Sequence, residues 1–241
     1  MRVDRLKAQA TTLFALTATG RIRCENDPDR SPGPLLYVAG CEEGNLAFVR
    51  HDVADEVAET ASALVEEQAP WASGEPPFLG LLTALLARQA PIPSIEMSRI
   101  YNLPNAVAGP ERRAFICSDT AEGRDLLDRF LREGLPEPLV SAGFETVEDL
   151  WWPWCVAFEG EAIAAIAFAA RLAIHGAEIG VYSFPGFRGR GWAAAVTAQW
   201  ASLPSLWDRA LFYSMAETNI SSQRVAERLG LERIGTSLRV T

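Results

Sequence analysis

The sequence predicts an α/β (α+β) fold, on three observations. From Arg112 onward, apolar runs of strand length alternate with segments of helical period. Two of those runs, Trp154–Phe158 and Ala162–Ala170, are separated only by Glu159-Gly160-Glu161, a tight turn in which the glycine supplies the backbone freedom. Further on, a glycine-rich segment falls between a strand-like and a helix-like stretch. Strands interleaved with helices at this spacing argue for a layered sheet rather than a bundle.

Two regions differ in character. Residues 1–105 read as an additional N-terminal α/β region. There Glu25–Pro34 is loop-like and Pro34–Ala39 a short strand, and Val53–Gln68 is a helix with Val53, Val57, Ala61, Leu64 and Val65 on one face. Pro70–Pro77 breaks the chain before a very apolar helix, Phe78–Ala87, and Pro91-Ile92-Pro93 is a second break leading to Tyr101–Pro104. Residues 106–241 are more regular. Ala114–Ser118 reads as a strand, Gly123–Arg132 as a helix, and Glu178–Phe184 as a strand following the hairpin. Trp192–Leu203 is a helix with Trp192, Val196, Trp200 and Leu203 on one stripe, and Ala210–Ala216 a strand. The last helix, Ile220–Leu229, is ended by Gly230.

Composition excludes several classes. With 49% hydrophobic and 22% charged residues, whole-chain disorder is excluded. A net charge of −9 repels phosphate backbones, so no nucleic-acid partner is expected; cationic small molecules or peptides suit that field, although acidity also serves solubility. Cys24, Cys41, Cys117 and Cys155 lie far apart, and with only His51 and His175 beside them they assemble no zinc set. No metal is expected, and the cysteines read as reduced thiols of a cytoplasmic protein. The longest apolar runs are about half the roughly 20 residues that span a bilayer, so no membrane association is expected.

The chemistry concentrates in Phe184-Pro185-Gly186-Phe187-Arg188-Gly189-Arg190-Gly191-Trp192-Ala193. Glycines between a strand and a helix let backbone N–H groups converge, and the helix adds its own unpaired N–H groups and positive dipole end. That is a site for a phosphate or pyrophosphate, with Arg188 and Arg190 as rim charge. A glycine turn capping an ordinary helix is the plainer reading of the same residues. The segment is neither a Walker loop nor the dinucleotide fingerprint.

Arg188-Gly189-Arg190-Gly191-Trp192-Ala193 resembles the R/Q-x-x-G-x-G/A pyrophosphate loop of GNAT acetyltransferases. Asn219-Ile220-Ser221-Ser222 running on to Leu229-Gly230-Leu231 is similar to that family's second cofactor motif, and Ser222 is similar to its FR47-like branch. The resemblance implies a mixed, mostly antiparallel sheet flanked by helices, in which two strands splay apart around the pantetheine arm of acetyl-CoA. By motif position, Val181 and Ser183 would meet the pantetheine and Gly189 to Ala193 the pyrophosphate. Asn219 and Ser222 would flank the pantetheine and thiol; helix capping is an equal reading of Asn219.

The resemblance implies direct transfer of an acetyl group to an amine, on a small-molecule or peptide acceptor. A lysine-like amine, with a reference pKa near 10.4, must lose a proton at a cost of roughly 4–5 kcal/mol at neutral pH; an α-amine needs about 1. Glu178, opening its strand, is the candidate base, although an exposed strand-end carboxylate is the plainer reading; His175 lies just upstream. Where many members carry a tyrosine as general acid, this chain has Ala226, so Tyr213 or Ser222 would stand in, or the thiolate would leave unassisted. Trp151-Trp152-Pro153-Trp154 reads as cover for the junction between the two regions, with an aromatic cage as the alternative. Residues 1–105 are expected to contribute to the acceptor pocket. A non-catalytic acyl-CoA-binding module is the alternative function, and oligomeric state, a homodimer included, is left open.

Overall fold

The computed structural model describes residues 1–89, 91–92, 94–107 and 113–241. In chain order its elements are α1 (Arg2–Leu13), β1 (Phe14–Leu16), β2 (Ile22–Glu25), β3 (Leu36–Cys41), β4 (Gly44–Val49), α2 (Asp55–Glu66), α3 (Leu79–Leu86) and β5 (Ile95–Leu103). There follow β6 (Ala114–Cys117), α4 (Ala121–Glu133), α5 (Glu137–Ser141), β7 (Trp154–Glu159), β8 (Ala162–Leu172) and β9 (Gly176–Ser183). The chain ends with α6 (Trp192–Ala201), β10 (Ala210–Ala216), α7 (Ile220–Arg228) and β11 (Glu232–Val240).

One nine-stranded sheet runs in the order β4-β3-β11-β5-β10-β9-β8-β7-β6. Among the described residues, only the pairing of β9 with β10 in this sheet is parallel. The strand alternation sorts side chains onto two faces. In β3, Leu36 and Val38 pack with α2 and α3, whereas Tyr37 and Ala39 pack with α1. In β7, Cys155 and Ala157 meet α6, and Trp154 and Val156 meet α4 and α5. This is the mixed, mostly antiparallel sheet flanked by helices that the resemblance implied. Among the described residues, no helix is long and apolar enough to cross a membrane.

Local chemistry sets the element ends. Gly160 takes φ +61° in the turn between β7 and β8, as its sequence context required. α4 is capped by Thr120, whose hydroxyl accepts from Gly123 N–H. α7 closes with Gly230 at φ +61°, while Leu231 N–H donates to Ala226 C=O and Gly230 N–H to Glu227 C=O, which satisfies the last carbonyls. α6 departs from a one-stripe helix: Ala194, Ala195, Thr197 and Ala198 are buried along with its tryptophans.

The division after residue 105 divides the chain but not the sheet. β5, from before it, lies between β10 and β11, from after it, and α1 packs across β9, β3 and β11. Where a Cβ on Gly176 would stand, Thr12 of α1 already sits, so α1 presses directly on β9. Three expectations are corrected. The sequence pattern gives no regular element for α1, β1, β2, β4, β5, α5 or β11, all of which the fold contains. The Trp151–Trp154 rings do not cover the junction: Trp154 is buried with Leu126, Phe130 and Leu139, Trp151 stands edge-on to Phe168, and Trp152 is exposed. Cys117 and Cys155, expected as thiols, face each other across β6 and β7 and form a disulfide, because strand pairing closes a separation of 38 residues. Cys24 and Cys41 are free.

Candidate active site

β9 and β10 pair only from Ala210 opposite Gly176 to Phe212 opposite Glu178, and then part. Each stays paired on its outer flank. β9 continues against β8 to Ser183, and β10 against β5 to Ala216. Their inner edges beyond that point, including Val181 and Ser183, therefore border a gap with no strand partner. An extended ligand carrying amides could add itself there as a strand would.

Glu178 stands where the strands part. It is only 5% exposed, which overturns the strand-end reading. Its Oε1 accepts from Ser214 N–H at 2.6 Å and from the Ser214 hydroxyl at 2.7 Å. The carboxylate thus takes a backbone donor of β10 that continued strand pairing would have used. Its Oε2 accepts from Gln9 Nε2 at 3.4 Å, and Gln9 Oε1 accepts from the Tyr37 hydroxyl at 2.6 Å. Burial pushes the carboxyl above its usual range, and the hydrogen bonds from Ser214 and Gln9 oppose that rise. His175 is exposed in the preceding turn.

At the far end of β9, a short turn at Pro185–Phe187 leads into the glycine loop. Gly189 and Gly191 adopt φ +73° and +81°, a region that side chains rarely enter. Gly191 is the N-cap of α6, and no side chain caps the helix. The first-turn N–H groups of α6, with the Gly189–Ala193 backbone, fit a diphosphate. The arginines around the loop divide the work. Arg188 turns back to donate to Ser183 C=O at 3.1 Å and to the Tyr182 hydroxyl at 3.3 Å, and Arg190 pairs with Glu159. Arg113 stacks 3.9 Å over the Trp192 ring and donates to Arg190 C=O at 3.0 Å, bracing the loop against α6. The guanidinium of Arg228 occupies the space that a Cβ on Gly191 would need.

On the α6–α7 face of the gap, Tyr213 is buried and raised above the usual phenol range, chiefly by burial, with Ser222 beside its hydroxyl. Tyr101 of β5 is its cross-strand partner. Ala226, at the position of the absent tyrosine, is buried in the same cluster, so the phenols here come from strands rather than from α7. Asn219 caps α7, its side chain accepting from Ser222 N–H at 3.0 Å. On the opposite face, a cleft of about 790 Å³ opens between the α4–α5 corner and the end of β9, floored by Phe130, Tyr182 and Phe184 with Glu133 and Glu161 exposed on its lining.

Gln9, Tyr37, Ser214, Tyr101, Arg113 and Arg228 were not anticipated. Each reaches the site through sheet topology, and no local pattern marks any of them.

Solved structures were found whose folds are similar to this chain. A GCN5-related N-acetyltransferase from Kribbella flavida is 14% identical, with 100% of this chain and 95% of that one covered at a TM-score of 0.49. A GCN5-related N-acetyltransferase-like protein from Streptococcus suis is 16% identical, with 100% of each chain covered at 0.45. A GCN5-related N-acetyltransferase from Sphaerobacter thermophilus is 15% identical, covering 89% and 78% at 0.43. No family model and no curated protein matches the chain.

Proposed function

We propose that this chain is an acyl-CoA-dependent N-acyltransferase that uses acetyl-CoA as co-substrate and delivers its acetyl group to an amine. The observation that carries the reading is the parting of β9 and β10 beside a glycine loop that opens α6. The unpaired inner edges at Val181 and Ser183 suit an amide-bearing arm, and the uncapped helix end suits a diphosphate. These two features lie in the order in which one CoA molecule would need them. A bound thioester would supply an activated acyl group. The chain's own residues supply the rest.

Glu178, at the base of the gap, takes a proton from the acceptor amine. Its burial raises its affinity for that proton, and Ser214 keeps it fixed. Tyr213, with Ser222 beside it, donates toward the departing sulfur. The acceptor is a small molecule or peptide, and the chain's net charge of −9 favours a cationic one. The buried Ala226 also suits the alternative, a regulatory module that binds acyl-CoA without turnover. Release of free thiol from acetyl-CoA across a panel of primary amines separates the two. Amine-dependent release supports the enzyme, and acetyl-CoA binding without release under any amine supports the module.

A further inference from the structure

Glu178 is held asymmetrically. Oε1 carries two short hydrogen bonds from one residue, Ser214 N–H and hydroxyl, which saturate it. Among the described residues, Oε2 has a single long hydrogen bond, 3.4 Å from Gln9 Nε2. Gln9 is 1% exposed and rides on α1, 169 residues away in sequence. Its amide cannot be turned round freely. The Tyr37 hydroxyl donates to Gln9 Oε1 at 2.6 Å. With Tyr37 donating to the amide oxygen, the NH₂ group is left facing the carboxylate. The donors run in one direction, from β3 through α1, and end on Glu178.

We infer that Oε2 of Glu178 is the atom that takes the acceptor's proton, and that Gln9 is a positioning residue that sets its basicity. The inference rests on the reading of Glu178 as the base. In the transfer, an acceptor N–H bond breaks as an O–H bond forms at Oε2, and the carboxylate becomes neutral. The released lone pair forms the C–N bond while the C–S electron pair leaves with sulfur, and the second amine proton ends on that sulfur. Gln9, an amide, moves no proton. It stabilises the charged carboxylate before the step, and its single long bond leaves a lone pair of Oε2 for the incoming proton.

The other charged and titratable groups facing Glu178 are already committed. Arg171, its partner on β8, donates to Glu25 at 2.8 Å and lies 3.8 Å from Asp27. Arg239 of β11 pairs with the same Glu25 at 2.8 Å. Arg5 of α1 donates to Asn102, and Tyr37 and Tyr213 are buried phenols raised above their usual range. Gln9 is therefore the group whose removal changes the field at Oε2 while leaving these ion pairs intact.

The test is a carbon-NMR titration of the full chain carrying ¹³C-labelled glutamate carboxyls, with the Glu178 signal identified by its loss in Glu178→Gln. The pH profile of kcat/KM is measured beside it, with acetyl-CoA and the fastest primary amine of the panel. Gln9→Met removes the donor and should raise the Glu178 titration, and the acid limb of the profile, by about one pH unit. Tyr37→Phe loses only a hydroxyl and frees the Gln9 amide to turn, so it should shift both in the same direction by less. A Glu178 titration unmoved or lowered in Tyr37→Phe and in folded Gln9→Met overturns the role of Gln9; should Gln9→Met not fold, Tyr37→Phe decides alone. Undiminished amine-dependent release in Glu178→Gln overturns the base itself. Loss in Glu178→Gln with an unmoved titration in the other two overturns only the inference about Gln9.

Discussion

Glu178 joins two tasks in one side chain. By accepting Ser214 N–H it satisfies a β10 donor beside the gap, and its burial raises its affinity for a proton, which the proposed role of base requires. Its titration has a direction that stability measurements can read. The folded protein holds this proton to higher pH than the unfolded chain does, so between those two values the native state binds more protons and stability falls as pH rises. Glu178→Gln carries no such dependence. Its melting temperature relative to wild type should therefore drop as pH is lowered from about 8 to about 5, by about 3 °C for each unit of upward displacement. A difference that stays constant across that range removes the raised carboxyl from the account. At the loop, Gly191→Val should weaken acetyl-CoA binding at least about tenfold in calorimetry, because a β-branched side chain at φ +81° strains the N-cap whose N–H groups face the diphosphate. Unchanged affinity would free the loop from its assigned role.

At the scale of elements, β5 decides how the chain can be cut. It is hydrogen-bonded to β10 over Ser98–Leu103 and to β11 over Ile95–Asn102, so a fragment covering residues 106–241 would lack a strand from the middle of its sheet. Such a fragment should show no cooperative thermal unfolding by circular dichroism, because β10 would expose an unpaired edge and β11, whose partners β3 and β5 both precede residue 106, would have no strand to pair with. A cooperative transition in the soluble fragment would show that β5 is dispensable. This also explains what the sequence could disclose. The hairpin at Gly160, the glycine loop, β10 and the capped α7 are local patterns, written within a few residues of themselves. β5 is not local. Ile95-Glu96-Met97-Ser98-Arg99 alternates poorly because only Ile100 and Leu103 are fully buried, and its two neighbours lie more than a hundred residues downstream. Gln9 and Tyr37 were hidden for the same reason. Glu178 could be nominated from its strand position, but its burial could not, since the helix that covers it stands at the opposite end of the chain.

For the molecule as a whole, helices on both faces hold a sheet that is continuous except where β9 leaves β10. Residues from the first 105 positions supply a central strand, a covering helix and the buried contacts of Glu178, so they belong to the site as much as to the scaffold. The central claim is that this one parting of strands, with the loop beside it, holds acetyl-CoA. Hydrogen–deuterium exchange on the full chain, with and without saturating acetyl-CoA, tests it most directly. The account predicts slowed exchange in the inner edge of β9 from Gly180 to Ser183 and in the Gly189–Ala193 loop, and unchanged exchange in α2, α3 and β4 on the far side of the sheet. Saturating acetyl-CoA that leaves both segments unprotected, or protects only the far side, would contradict it.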